Sequence, residues 1–346
     1  MKKHVNIPIF IPHIGCPNLC TFCNQRTISG TQFFDEGSVD TLISEALSTV
    51  DEETECEIAF FGGSFTGIDR ELMLRLLRCA YKYIESGRVK SIRCSTRPDY
   101  IDKEVLDILK KYGVKTVELG IQSISDRVLA ATKRGHTLID TERAVRLVVE
   151  NGFELVGQMM IGLPSSTPED ELATAEFIVN SGARGARIYP TVVFFGTELC
   201  DMAVRGEYTP LDLNEAVKRS SSVLRVFNEG RVEVIRIGLC ASESLSDTNS
   251  CYAGPNHSAL GELVMGELYF ENIINKINNE CSKSDDTPTI MVLVPRGAVS
   301  KACGHGRINI KRLTELYGFK DVVVREDSSL APYEVRVSRE REKLCT

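Results

Sequence analysis

Gly15-Cys16-Pro17-Asn18-Leu19-Cys20-Thr21-Phe22-Cys23 is the stretch from which the rest of the chain is read. Its cysteines have C-x3-C-x2-C spacing, so three thiols share one short loop. The loop follows Val5–Ile11, an apolar run punctuated by Pro8 and Pro12. That run is too short and lacks the small-residue cleavage site of a secretory leader, so it reads as a first strand. Outward from there, apolar strand-like runs alternate with stretches of helical spacing. A helix is expected near Val39–Val50, then a strand at Glu57–Phe61 ending in Gly62-Gly63, and a helix over Arg70–Ile84 with Leu72, Leu76, Leu77, Ala80 and Ile84 on one face. Lys90–Ser95, Lys103–Lys111 and Val114–Ile121 repeat the pattern, with Gly113 as a helix stop. Helices over Asp126–Lys133 and Asp140–Asn151 lead to a strand at Glu154–Ile161, a helix at Pro168–Asn180 and a strand at Ala183–Tyr189. Leu213–Asn228 and Val232–Ile237 close the series.

Such alternation, at about thirty residues per unit, implies parallel strands with helical crossovers. Six units are too few for an eight-stranded barrel and fit an α/β fold of the partial (β/α)6, TIM-like kind; an open doubly wound sheet is the alternative that periodicity leaves standing. In both, functional groups belong at the C-terminal strand ends, where the cysteine loop, Gly62-Gly63 and residues 118–123 fall. The expected division is a core over residues 1–240 and a C-terminal extension over 241–346. In the extension, Ser242–Asn249 reads as a loop, Ala259–Asn275 as a helix and Lys283–Thr287 as a hinge. Ile290–Val294, Ile308–Tyr317 and Asp321–Val324 then read as a small strand-helix-strand unit.

Composition sets the class. The chain has 346 residues, 42% hydrophobic and 26% charged, which excludes a disordered, collagen-like or coiled-coil protein. The longest clean apolar run is Ile290–Val294, far short of the roughly 18 residues of a membrane span, so no membrane partner is expected and the cytoplasm is the expected compartment. Twelve cysteines are many for a reducing compartment, but only Cys16, Cys20 and Cys23 cluster, so a disulfide framework is not the reading. The net charge of −7 hides an asymmetry: residues 288–346 carry 11 Lys/Arg against 7 Asp/Glu, while the rest is acidic. On the helix expected from Ile308, Lys311 and Arg312 share a face with Arg307 and Glu315, a basic stripe that would suit a phosphate backbone or simply solvent.

Three thiolates on one loop can ligate three irons of a cubane cluster. Electron-transfer clusters usually take four cysteines, and here Asn24 follows and the next cysteine is Cys56. An iron left open can hold a small molecule by an amine and a carboxylate. A structural zinc site short of a ligand is the competing reading, but zinc usually wants a second C-x2-C or an H-x3-H, and neither occurs. Cys251 and His257 flank Gly254-Pro255, where a thiol could donate a hydrogen atom or be an inert loop cysteine. Glu118 either enters the barrel or satisfies buried backbone groups.

With its cysteines and Phe61-Gly62-Gly63-Ser64-Phe65, the chain resembles the radical S-adenosylmethionine superfamily. The finer resemblance is to the radical domain of the Elongator catalytic subunit, a tRNA uridine-modifying family. It rests on Ser95-Thr96-Arg97-Pro98-Asp99-Tyr100, Glu118-Leu119-Gly120-Ile121-Gln122-Ser123 and Lys133-Arg134-Gly135-His136-Thr137. Met160-Ile161-Gly162-Leu163-Pro164, Arg187-Ile188-Tyr189-Pro190, Gly196-Thr197-Glu198-Leu199, Arg236-Ile237-Gly238-Leu239 and Ala253-Gly254-Pro255-Asn256-His257 continue it in order. The resemblance implies a 4Fe–4S cluster on Cys16, Cys20 and Cys23, and S-adenosylmethionine cleaved reductively to a 5′-deoxyadenosyl radical. It implies that Gly62, Gly63 and Ser64 grip the methionine end, that Arg134 pairs with its carboxylate, that Gln122 and Gln158 lie near the ribose and that Phe22 packs on the adenine. Ser95 stands where that family usually has a glutamate for the ribose hydroxyls, and Ser64 replaces a threonine. The implied partners are an electron donor such as flavodoxin or ferredoxin, and tRNA as substrate. The family's acetyl-CoA-dependent step is not expected, because no glycine-rich acetyl-CoA loop follows His257. Tetrapyrrole chemistry of the oxygen-independent coproporphyrinogen oxidase kind is the alternative enzyme reading. A non-catalytic RNA- or protein-binding module that keeps the cluster as structure is the alternative outside enzymes.

Overall fold

A computed structural model describes residues 4–16, 20–30, 33–239, 250–280 and 289–339. Pro17-Asn18-Leu19, the expected loop Ser242–Asn249 and the expected hinge Lys283–Thr287 lie outside the described residues. The order is β1 (His4–Ile11), α1 (Gln25–Ser29), α2 (Val39–Ser48), β2 (Glu55–Gly62), α3 (Arg70–Glu85), β3 (Ser91–Thr96), α4 (Lys103–Lys111), β4 (Val114–Gln122), α5 (Asp126–Ala131), α6 (Leu138–Glu150), β5 (Glu154–Ile161) and α7 (Pro168–Asn180). It continues with β6 (Gly185–Pro190), β7 (Val193–Phe194), α8 (Glu198–Val204), α9 (Leu213–Glu229) and β8 (Glu233–Ile237). β9 (Cys251–Ala253), α10 (Leu260–Glu280), β10 (Ile290–Val294), α11 (Val299–Cys303), α12 (Ile308–Tyr317), β11 (Val322–Glu326) and β12 (Arg336–Arg339) complete it.

Seven strands form one parallel sheet in the order β1-β2-β3-β4-β5-β6-β8. A doubly wound sheet reverses its order at a switch point. Here the order never reverses, so the sheet is a curled partial barrel, and the open alternative falls away. Alternate residues obey the period of two. Ile7, Ile9 and Ile11, then Ile58 and Phe60, Ile92 and Cys94, Val117, Leu119 and Ile121, and Ala186 and Ile188 lie buried in one core with the helices. Thr137 and Thr167 start α6 and α7 through capping boxes with Asp140 and Asp170, which fix where those crossovers begin. The other face of each strand looks into the barrel.

The C-terminal part has its own core. β10 lies between β11, parallel, and β12, antiparallel. Ile290, Val292 and Val294 pack with Phe270, Ile273 and Ile277 of α10 and Leu313 of α12. The earlier turns of α10 place Leu260, Val264 and Leu268 in the barrel core, so this helix serves both. Of the expected basic stripe, Arg312 forks onto Glu267 of α10 and lies 3.5 Å over the Phe270 ring, with its side chain 33% exposed, while Arg307 and Lys311 stay exposed. Among the described residues, no helix is long and apolar enough to cross a membrane.

Candidate functional site

The cysteine loop leaves β1 and closes against the end of β2, backbone to backbone. Gly63 N–H donates to the Ile11 carbonyl at 2.8 Å and Ser64 N–H to that of Ile14 at 3.2 Å. A Cβ on Gly63 would stand 2.0 Å from the Ile14 oxygen, and one on Gly15 would stand 2.3 Å from the Ser64 oxygen. Only glycine tolerates that approach. Gly63 and Gly15 therefore let the cysteine loop seat against the end of β2, while Gly62 packs against Ile11 of β1. Gln25 locks it: its side-chain amide donates to the Gly62 carbonyl, its Oε1 accepts from His13 N–H, and its own N–H donates to His13 Nε2 at 3.1 Å. The far side of the loop is tied to α5 and α8, with Thr21 N–H donating to the Thr132 carbonyl and Leu199 N–H to that of Thr21.

The three thiols lie close enough to feel one another's charge. Burial pushes the Cys16 thiol up, and Arg134 opposes that shift. Burial, then Cys20 and Cys16, push Cys23 up to about 12. Cys16 and Cys23, so raised, favour ionising beside positive charge, which an iron cluster would supply. Three cysteines on one loop with no second C-x2-C or H-x3-H suit a cubane with one open iron better than a four-coordinate zinc.

Two guanidiniums stand over the thiols. Arg134, 7% exposed, donates to Cys20 Sγ at 3.4 Å and to the Gly120 carbonyl at 2.7 Å, and its Nε is buried without a partner. The chain reaches it through a tight turn, with Lys133 and Gly135 both at positive φ. Arg97 forks onto Asp99 at 2.9 and 2.8 Å, so its charge is matched. Arg134 has no carboxylate partner among the described residues. Gly120 makes the room, since a Cβ there would come 3.0 Å from Arg134 Nη2 and 3.1 Å from Gln122 Nε2. Gln122 ends β4 at φ +65°, with its Oε1 buried and unpartnered. His136 is held neutral, pushed down to about 4 by burial and by Arg134.

Deeper inside, Glu118 is fully buried and gathers three strands. Arg187 forks onto it at 2.8 and 3.0 Å, Arg93 donates at 3.0 Å and Gln158 Nε2 at 2.8 Å. Arg93 also pairs with Glu57, which Ser91 supports at 2.8 Å. Glu118 thus enters the barrel and binds arginines, not backbone. Gln158 reaches Ser95 Oγ at 3.3 Å, so these two share the barrel interior with Glu118. The Ser64 hydroxyl is fully buried, 2.8 Å from Thr96 Oγ1, and it accepts from Arg97 N–H at 3.2 Å. Phe22 packs, half-buried, on the cluster of Val193, Leu199, Cys200 and Tyr208. Cys251 lies on β9 beside β7, and His257 Nδ1 accepts from Ala259 N–H at 3.1 Å. Sequence reading missed the roles of Gln25, Glu57 and Arg93; for Glu57 and Arg93 the only available signal was charge inside strands otherwise apolar, and for Gln25, at the start of α1, there was none.

Residues 10–178 match the model of the radical SAM superfamily, and residues 183–269 match that of the radical SAM C-terminal domain. The chain belongs to the radical S-adenosylmethionine superfamily. Radical SAM proteins bind a 4Fe–4S cluster and S-adenosylmethionine, and the protein is an enzyme of that class. It is 37% identical over 224 residues to the tRNA uridine(34) acetyltransferase of Methanocaldococcus jannaschii, covering 58% of this chain and 41% of that one. It is 36% identical over 148 residues to human Elongator complex protein 3, covering 40% of this chain and 27% of that one. The solved Elp3 of Methanocaldococcus infernus, with an N-terminal deletion, shares the fold with a TM-score of 0.63 at 24% identity, over 78% of this chain and 64% of that one. The chain thus spans less than half of the two curated relatives.

Proposed function

We propose that Cys16, Cys20 and Cys23 hold a 4Fe–4S cluster by three of its irons, that S-adenosylmethionine lies beside it across the strand ends, and that the substrate is a nucleoside in tRNA. The observation that carries the reading is Arg134: one guanidinium touches Cys20 Sγ and has no carboxylate partner among the described residues. A planar fork so placed binds the methionine carboxylate of a ligand on the neighbouring iron. Gln122, with its unpartnered Oε1, accepts from a ribose hydroxyl, while Ser95 and Gln158 offer neutral hydrogen bonds further in. Ser64 contributes by fixing Thr96 and the Arg97 backbone, and Phe22 by presenting the exposed part of its ring to the adenine. Gly62 and Gly63 keep the cysteine loop at its required distance. When bound, the cluster supplies the electron that breaks the S–C5′ bond of S-adenosylmethionine and frees a carbon radical able to take a hydrogen atom.

The substrate reading is supported by the relatives' names, one a tRNA uridine(34) acetyltransferase. Acetyl transfer is not carried over, because the similarity covers only part of that protein. An external one-electron donor such as flavodoxin or ferredoxin completes the reaction. We also propose a core partial barrel over residues 1–240 and a C-terminal extension over 241–346; the core around β10 supports the far part of that extension, while β9 and the first turns of α10 pack on the barrel. Comparing nucleoside mass spectra of total tRNA from wild-type and deletion cells tests the substrate: one modified nucleoside should vanish, and unchanged tRNA would remove this reading.

A further inference from the structure

β6 and β8 pair in parallel, but the register slips by one residue: Ala186 faces Val234 and Arg187 faces Arg236, so Ile235 is the extra residue of a bulge. Register partners on neighbouring strands point to the same face. Arg187 points into the barrel, onto Glu118 and 5.5 Å from the Phe61 ring centroid, so the bulge turns Arg236 inward beside it. Without the slip, Ile235 would stand opposite Arg187; instead it lies beside Gly185, one step back, and is 39% exposed. Bulges recur beside active sites because they re-aim one side chain.

The charge there is uneven. Glu57 and Glu118 face Arg93 and Arg187, two carboxylates for two guanidiniums, and Arg236 adds a third guanidinium with no carboxylate of its own among the described residues. His4, half-exposed, lies 3.6 Å from Glu57 at the start of β1, the far end of the barrel. Arg236 is half-buried, and its Nε is enclosed with no partner. A buried donor left unmade is costly, so such a group is normally satisfied. It sits one residue from the C-terminal end of β8, on the side from which the cysteine loop and Arg134 also face the mouth.

We propose that Arg236 is the subsite for a phosphate of the substrate. The guanidinium fork matches two oxygens of a phosphate, and the enclosed Nε supplies one of the two donors. Arg187, already neutralised by Glu118, sets the wall behind it. The inference rests on the barrel mouth being where substrate meets the radical chemistry. It names the part of a nucleotide, rather than of a nucleoside alone, that enters the barrel.

Binding without turnover tests it, on anaerobically prepared, cluster-loaded full-length protein. Inorganic phosphate, uridine 5′-monophosphate, uridine and acetate are titrated separately, read by calorimetry and by the shift in Tm. Uridine 5′-monophosphate should bind at least tenfold more tightly than uridine, and inorganic phosphate should compete with it. Arg236→Gln should remove that tenfold advantage, Arg236→Lys should retain part of it, and Lys311→Gln, an exposed cation elsewhere, should leave it unchanged. Iron content and circular dichroism equal to wild type show that Arg236→Gln is folded. If it is not, the probe ranking on wild type and the Arg236→Lys result decide. Equal binding of uridine and its monophosphate, an undiminished advantage in Arg236→Gln, or a preference for acetate over phosphate would each overturn the assignment. Because no radical step is read, loss of the tRNA reading and loss of this subsite are separate results.

Discussion

Replacing Glu118 by alanine should destabilise the fold more than any surface change. Glu118 is fully buried and accepts four hydrogen bonds, two from Arg187, one from Arg93 and one from Gln158, all between 2.8 and 3.0 Å. Arg93 keeps Glu57 when Glu118 is lost, but Arg187, with a side chain only 9% exposed, keeps no carboxylate among the described residues. Removing one partner of a buried pair costs about 3–5 kcal/mol, because the stranded charge stays out of water. The lost Gln158 bond adds about 1 kcal/mol. Glu118→Ala should therefore lose about 4–6 kcal/mol, read from urea unfolding by far-UV circular dichroism. Burying two apolar side chains in place of a pair is often neutral. Glu118→Met with Arg187→Met should therefore recover most of that loss. A single variant costing under about 1 kcal/mol, or a double variant no better than the single, would refute the reasoning that Glu118 is the anchor of the barrel interior.

Three further outcomes are expected. Gly63→Ala should lose iron while keeping its circular dichroism spectrum, because the new Cβ, 2.0 Å from the Ile14 carbonyl, pushes the cysteine loop off β2; full iron content would contradict this. Arg134→Ala should retain iron and weaken S-adenosylmethionine binding by about 1.5–3 kcal/mol in anaerobic calorimetry, the worth of a charge-assisted pair. Unchanged affinity would place the carboxylate elsewhere. Arg312→Ala should lower stability by about 1–2 kcal/mol through the lost Glu267 pair and Phe270 contact, with RNA affinity unaltered. A gel shift that weakens instead would restore the basic stripe.

The strands of the barrel were legible because their helix-facing residues are apolar at every second position, as at Ile58 and Phe60 and at Val117, Leu119 and Ile121. The inward residues were not legible. Arg93, Arg187 and Glu57 stand at alternate strand positions, where a charged residue ordinarily faces water; only closure of the sheet turns that face inward. The three thiols were found by spacing. The role of Gln25 was hidden, because a polar residue after a loop has no pattern, and its partners His13 and Gly62 come from elsewhere in the chain. Gly62-Gly63 suggests a ligand grip from sequence; in the fold a Cβ on Gly62 would also meet Ile11 at the end of β1, and one on Gly63 the cysteine loop at Ile14, contacts that no sequence pattern announces. β7 and β9 pair across the chain through two or three residues each, too short for any period to register. Arg312 looked solvated because its partners Glu267 and Phe270 lie on a different helix.

The central claim is that the three cysteines of the first loop hold the cluster from which S-adenosylmethionine is cleaved. Anaerobic reconstitution with iron and sulfide, followed by S-adenosylmethionine and dithionite, tests it with 5′-deoxyadenosine as the readout. Wild type should carry about four irons per chain and form 5′-deoxyadenosine, and Cys79→Ala should match it. Cys16→Ala, Cys20→Ala and Cys23→Ala should each lose the cluster and form none. A Cys20→Ala protein with full iron and undiminished 5′-deoxyadenosine, or a wild type that forms none, would contradict the account.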